Sequence, residues 1–560
     1  MTLMRATVPA YEALAHDIQG HGTQTVFGLM SDDTALLIAT LDAIGVRFVG
    51  ARHENNAIAM AEGYAAATGR VGIAIIGRGP ATANGMHGAG YAQRSGSRVL
   101  LVFGVGSTAA VPAHALGPDR KAFNTVGVLH AAGFRIFMPA DSRSARQELA
   151  NAMAAAANGA VALLLPMNVQ LGQIPLDAPS DGAAAAPAMP AALAPRPARK
   201  AAIQAAAALL QQSRKPLIVA GRGAHLAGAR DALIRLAERV GAGLATTLKA
   251  KDMFRGHPFD LGMVGSFSHG GGRRVIEQAD CIVTFGAGLN QNTTSYGKSL
   301  PDVPLVHVDS VRTNIGRWYN ADVAVLADAR QAAEQLLELL PERAAGDKPL
   351  HSEEIRRWLA GYDLASEFRA EHTARTMDPR ALAIELDRLL PQNRNMVYDA
   401  GNFLQVVPYL SVPGPDHIKM ASDFASIGMG FGTALGFACG TPDRVTVLVL
   451  GDGSFLMTLG ELETVAREDI PLVIVVMNDC AYGAELHYLK MRGMPVVKAV
   501  FPDIDYAPVA EAFSFQGATV RTLDELRALA PMLRKPEGPI LLDCKINAAI
   551  AAPFLLETGP

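Results

Sequence analysis

The 560-residue chain is predicted to be an α/β protein of three doubly wound parallel-sheet domains. Short apolar runs recur along it, separated by longer stretches of helical character, as expected for parallel strands joined by crossovers. Two segments break that rhythm. Residues 176–198 are rich in Ala and Pro with few large apolar side chains, and residues 342–378 open on a polar stretch. A length of 560 residues also suits about three to four domains. The expected division is 1–175, a linker 176–198, 199–341, a linker 342–378, and 379–560.

In the first segment, residues 10–18 read as an amphipathic helix, and the runs 25–27, 71–76, 99–103 and 161–165 as strands. A helix is expected to begin near Thr34, with Asp32 as a candidate cap. In the second segment, residues 215–221 and 281–285 read as strands, the latter leading into Gly286-Ala287-Gly288. Asp309 ends another strand-like run about 20 residues later, a loose dinucleotide-type pattern. Gly270-Gly271-Gly272 with Arg273-Arg274 reads as a flexible turn or an anion contact. In the third segment, the run 445–450 ends in Gly451-Asp452-Gly453-Ser454, and a helix is expected from Ser454 through Leu459, Leu462 and Val465. A second run, 471–477, carries Asn478-Asp479 at its C-terminal end.

Composition narrows the function. Half the residues are hydrophobic and 18% are charged, enough for large buried cores. The net charge of −3 and the lack of a basic run argue against a nucleic-acid partner. Cys281, Cys439, Cys480 and Cys544 form no CxxC pair, which suits a reducing cytoplasm better than a disulfide framework or a zinc site. No apolar run reaches about 18 residues, so no membrane span is expected. Glu12, His16 and Asp17 interrupt the N-terminal helix, so it does not read as a signal peptide, and a cytoplasmic location is expected.

The chemistry concentrates where the last two strands end. If these strands are parallel neighbours, Asp452 and Asp479 reach one crevice, where open α/β sheets bind ligands. Glycines on each side of Asp452 let a diphosphate approach the backbone, and helix N-terminal amides can face it. Mg²⁺ takes octahedral oxygen ligands, typically one or two carboxylates completed by phosphate and water.

Gly451-Asp452-Gly453 followed by Asn478-Asp479 resembles the signature of thiamine-diphosphate-dependent enzymes of the pyruvate decarboxylase, acetolactate synthase and benzoylformate decarboxylase group. The resemblance extends over nearly the whole chain. It implies a pyrimidine-binding first domain, a central domain and a diphosphate-binding third domain, with thiamine diphosphate and Mg²⁺ as cofactors. The implied metal ligands are Asp452, Asp479 and the backbone carbonyl of Ala481. Asp479 stands where the family pattern has a second Asn, which adds negative charge beside a diphosphate. The match places Gly451, Asp452, Gly453, Ser454, Asn478, Tyr482 and Gly483 on cofactor-contact positions. Ile427, within Ser426-Ile427-Gly428, falls on the bulky apolar residue that bends the cofactor, so a small residue there should cost activity more than folding.

Upstream, His53-Glu54 and the following alanine-rich helix with Glu62-Gly63-Tyr64-Ala65 are similar to the family's pyrimidine-side segment. Glu54 falls on the glutamate that bonds the cofactor's aminopyrimidine. A carboxyl group there stabilises the imino tautomer that removes the thiazolium C2 proton. Alone, Glu54 would read as a surface residue starting a helix, and His53 as positional.

Three positions resemble the pyruvate decarboxylase branch in particular. Asp32 follows Val26-Phe27-Gly28, His114 lies in Ala113-His114-Ala115-Leu116-Gly117, and Glu485 closes the run Asn478-Asp479-Cys480-Ala481-Tyr482-Gly483-Ala484-Glu485. If they converge, they form an acid–base set above C2. Read alone, Asp32 is a helix cap, His114 a loop histidine and Glu485 a residue on a solvated face. Ala113 replaces that branch's first histidine, and the acetolactate synthase branch's active-site Gln falls near Lys121.

The implied function is a C–C bond lyase or carboligase acting on a 2-oxo acid or 2-hydroxy ketone, with a decarboxylase first. The alternatives are an acetolactate synthase-like carboligase and a cofactor-binding subunit without turnover. The resemblance also implies a homodimer or homotetramer with sites at the subunit interface. FAD or an adenine nucleotide in the central domain is the less favoured expectation, and a structural domain with vestigial glycines the favoured one. Phe403, Gln405, Tyr482, His487 and Tyr488 are candidate lining of the substrate pocket.

Overall fold

The computed structural model describes residues 7–109, 120–175 and 196–557. The Ala/Pro-rich stretch therefore falls almost wholly outside the described residues, and so does His114.

Each of the three segments folds around a six-stranded, all-parallel sheet flanked by helices. In the first, the order across the sheet is Arg47–Gly50, Thr25–Gly28, Gly72–Ile76, Val99–Val105, Val161–Pro166, Arg135–Phe137. In the second it is Asp260–Met263, Gly243–Thr246, Pro216–Ala220, Cys281–Phe285, Leu305–Asp309, Val323–Leu326. In the third it is Ile418–Met420, Arg394–Tyr398, Val445–Gly451, Leu472–Asn478, Ile540–Lys545, Gln516–Val520. The uninterrupted apolar runs of the sequence are the central strands, because helices cover both faces of such sheets. A short antiparallel pair, Thr7–Pro9 with Gln173–Pro175, closes the first unit. Among the described residues, no helix is long and apolar enough to cross a membrane.

The first and third units share one hydrophobic core. Met60 and Tyr64 of the helix Glu54–Thr68 pack with Phe431, Ala434 and Leu435 of the helix Gly430–Gly440. The two backbones approach so closely that a Cβ on Gly436 would stand 1.8 Å from the Met60 carbonyl oxygen. A buried ion pair pins the same junction. Lys419 Nζ meets Glu62 Oε1 at 2.5 Å, and Ser97 and Tyr91 also donate to Glu62. Lys419→Met would leave Glu62 charged and under-compensated in the core. It is expected to destabilise the chain by about 3–5 kcal/mol. Urea unfolding reads the loss, and adding Glu62→Gln should restore part of it.

The middle unit has a separate core. Its glycine pattern is explained by packing. A Cβ on Gly221 would lie 2.2 Å from the Gly286 carbonyl oxygen, so the ends of two neighbouring strands touch through their backbones. Asp309 Oδ1 accepts from Val311 N at 2.7 Å and from Asn314 Nδ2 at 3.2 Å, closing its own loop. The triple glycine 270–272 is neither a turn nor a loop. It starts the helix Gly270–Ile276, packed tightly under Tyr362 and against Leu261. Residues 342–378 contain the helix Glu353–Ala360, whose Ile355, Trp358 and Leu359 lie on the apolar face of the middle sheet.

Candidate active site

Strands Val445–Gly451 and Leu472–Asn478 pair in parallel, with Gly451 opposite Met477, so both deliver their next residue to one edge of the sheet. Asp452 and Asp479 meet there. Arg394–Tyr398 pairs on the other side of Val445–Gly451 and brings Asp399 to the same edge. Above this edge lies a cavity of about 590 Å³. Gly451, Asp452, Gly453, Ser454, Ile427, Asp479, Ala481, Tyr482, Gly483 and Glu485 all line it. Phe403, Met457 and Met477 give it an apolar side.

The helix after Gly451 differs from the sequence reading. It runs from Asp452 to Thr458, and a second helix, Glu461–Glu468, follows after Leu459 and Gly460. The chain breaks at Gly460 because Glu461 is drawn into the core, where Oε1 accepts from Arg52 N at 2.9 Å and Asn56 Nδ2 at 2.8 Å. The first helix is thus seven residues long, too short for the dipole argument to carry an anion site.

The electrostatics of the crevice are unfavourable as they stand. Asp452 is 1% exposed, and its Oδ2 has no hydrogen-bond partner among the described residues. Burial raises its pKa, with the charge of Asp543 adding to the effect. Burial also pushes the Asp479 carboxyl well up, helped by the neighbouring Asp452 charge. Two carboxylates crowded in a desolvated crevice are what a divalent cation offsets. Among the described residues, no group of three His, Cys, Asp or Glu side chains forms a metal cage. Asp452 and Asp479 offer two carboxylates, so a cation here needs further ligands, for instance from phosphate and water, as Mg²⁺ does.

Asn478 is turned away from the cavity. Its Nδ2 donates to Asp543 Oδ1 at 2.8 Å and its Oδ1 accepts from Cys480 N at 3.2 Å, which shapes the turn that presents Asp479. Tyr482 stands edge-on to Phe501, with ring centroids 4.6 Å apart. Glu485 is exposed at the cavity mouth. Gln405 lines a second cavity of about 270 Å³ behind the turn Asn402–Tyr409. His487 and Tyr488 line neither of these cavities.

Glu54 and Asp32 lie elsewhere. Glu54 is the first residue of its helix, 5% exposed, and its Oε2 accepts from Asn84 Nδ2 at 3.3 Å. His53 caps that helix through Nδ1. Asp32 does not cap the next helix. It is exposed and pairs with Lys121, whose hydrogen bond lowers its pKa to about 2. Both acids sit at the carboxyl end of the first sheet, and neither lines the Asp452 cavity of the same chain.

Two residues escaped the sequence reading. Asp399 is fully buried, and its Oδ2 accepts from Gly428 N at 2.9 Å and from the Ser454 hydroxyl. Burial raises its pKa. Its signal was present: Asp399-Ala400-Gly401 follows a strand just as Asp452-Gly453 does. His87 enters the cavity from the first unit, which no sequence pattern marks.

Three family models match the three units in turn. The chain matches the thiamine pyrophosphate enzyme N-terminal TPP binding domain over residues 9–125, the central domain over 203–336 and the C-terminal TPP binding domain over 399–544. It is 27% identical over 372 residues to a probable acetolactate synthase large subunit of Methanocaldococcus jannaschii, spanning 64% of this chain and 62% of that one. It is 25% identical over 553 residues to a sulfoacetaldehyde acetyltransferase of Alcaligenes xylosoxydans, spanning 94% of this chain and 89% of that one. It is 28% identical over 533 residues to a probable 2-ketoarginine decarboxylase of Pseudomonas aeruginosa, spanning 93% and 91%.

Proposed function

Since the chain belongs to the thiamine pyrophosphate enzyme family, we propose that it uses thiamine diphosphate and Mg²⁺ to break or make a C–C bond beside the carbonyl of a 2-oxo acid. The observation that carries this reading is the unpartnered Asp452 Oδ2, buried beside Asp479 in a 590 Å³ cavity. Asp452, Asp479 and the Ala481 carbonyl would hold Mg²⁺ and, through it, the diphosphate. Ile427 would support the bent cofactor from below. When bound, thiamine diphosphate supplies a carbon nucleophile and an electron sink.

The chain does the rest. Glu54 would hold a proton at the pyrimidine ring nitrogen. Because Glu54 is absent from the cavity of its own chain, the reading requires a second copy, with each cavity facing the Glu54 edge of its neighbour. Exposed apolar side chains on both edges support such a contact: Met457 and Tyr482 in the cavity lining with Val500 bridged to Ala481, and Met30, Phe123 and Val126 in the segments that carry Asp32 and Lys121. A closed two-fold arrangement completes two sites at once. Glu485, exposed in the cavity lining, would exchange a proton with the substrate. The Asp32–Lys121 pair sits on the edge that would face the partner's cavity. Phe403, Met457, Met477 and Tyr482 suit a medium-sized acyl chain and exclude water from the reacting carbonyl.

Calorimetric titration with thiamine diphosphate tests the reading. Micromolar binding that disappears with EDTA and returns with Mg²⁺ is expected. No binding in the presence of Mg²⁺ would overturn it. Incubation with a panel of 2-oxo acids, pyruvate included, then separates aldehyde release from ligation to an acetolactate-type product.

A further inference from the structure

We propose that His87 is a positioning residue of this site: through Ser426 it holds the loop 423–428 so that Ile427 stays raised into the cavity. The inference rests on the cofactor reading above. Ala425 has φ 54° and Gly428 has φ 90°, so left-handed residues bracket Ile427. An alanine in that region is strained, and the conformation persists only where neighbours hold it.

Three domains supply the holders. Asp423 pairs with Lys249 of the middle unit at one end of the loop. At the other end, Gly428 N donates to Asp399 Oδ2 at 2.9 Å and to Ser454 Oγ at 3.1 Å. Between them, His87 Nε2 lies 2.7 Å from Ser426 Oγ. The His87 ring also packs against Phe424, with centroids 6.1 Å apart. Among the described residues, no other side-chain hydrogen bond is made by residues 424–427, and Ser426 is the direct neighbour of Ile427. His87 comes from the helix Met86–Ser95 of the first unit, so this contact fixes the loop against another domain. Without it, the side-chain hydrogen bonds on the stretch are those at its two ends. Ile427 can then relax away from the cofactor, while Asp452 and Asp479, on the sheet, keep their places.

This predicts a loss of cofactor activation with little loss of cofactor binding. The test uses the full chain with Mg²⁺ and compares His87→Ala, His87→Gln, Ser426→Ala and the double alanine variant. Two quantities are read: thiamine diphosphate affinity by calorimetry, and deuterium exchange at C2 of the bound cofactor by acid quench and NMR. His87→Ala and Ser426→Ala should each slow exchange about tenfold, with the double variant no slower than either single one. Affinity should change by less than about threefold. His87→Gln, whose amide reaches about as far as the ring Nε2 and can still bond Ser426, should recover most of the rate. Wild-type exchange in both single variants, or fully multiplicative losses in the double variant, overturns the proposal. Ser426→Ala removes only a hydroxyl, so the test stands even if His87→Ala unfolds. A wild-type chain that binds no thiamine diphosphate overturns the cofactor reading and this inference with it.

Discussion

Glu54→Gln is expected to lower turnover by about 10²–10³-fold at saturating cofactor and leave the chain folded. Glu54 is buried at the start of its helix, and its recorded side-chain contact is one long hydrogen bond from Asn84. Glutamine has the same size and can still accept from Asn84, so the packing survives. What it cannot do is give up and retake a proton at the pyrimidine nitrogen. The loss should therefore fall on kcat and on C2 exchange, with the thermal midpoint within a few degrees of wild type. Near wild-type turnover in this variant would remove Glu54 from the mechanism.

Asp452→Asn should weaken thiamine diphosphate binding in Mg²⁺ by more than about 100-fold, since it removes a charged metal ligand rather than a supporting contact. Its effect on the cofactor-free protein should have the opposite sign. Folding raises the Asp452 pKa to about 7, so the ionised group costs stability above that value, and the cost falls away as pH drops from there towards the ordinary carboxylate range. A neutral amide removes the cost. Thermal denaturation without ligand should show Asp452→Asn at least as stable as wild type. With ligand, the stabilisation seen in wild type should be missing. A variant that loses stability without ligand would show that Asp452 is a structural residue.

The parts of this fold that could be read from sequence are the parts buried on both faces. Gly72–Ile76, Val99–Val105, Val445–Gly451 and Leu472–Asn478 are central strands, and continuous apolar runs mark them. The edge strands Arg47–Gly50, Arg135–Phe137 and Gln516–Val520 are partly exposed, carry mixed residues and gave no comparable signal. The break at Gly460 was hidden because the apolar spacing of Leu459, Leu462 and Val465 continues through it, while the cause, Glu461 bonding Arg52 and Asn56, lies more than 400 residues away.

The candidate site divides along the same line. Asp452 and Asp479 are legible because strand ends in a parallel sheet share an edge. Asn478 belongs to the same motif, yet its amide faces the interior, and only the pairing with Asp543 reveals that. Asp399 and His87 act on neighbours brought close by folding, so no spacing predicts them. The distance of Glu54 from the cavity of its own chain is likewise a tertiary fact.

Subunit complementation tests the central claim directly. Glu54→Gln and Asp452→Asn chains are each expected to be nearly inactive. If every site combines Glu54 of one copy with Asp452 of another, unfolding and refolding them together at equal amounts gives mixed dimers with one intact site. About a quarter of wild-type activity should then return. Activity no higher than that of the separate variants, in a mixture shown to contain mixed dimers, would contradict the shared site.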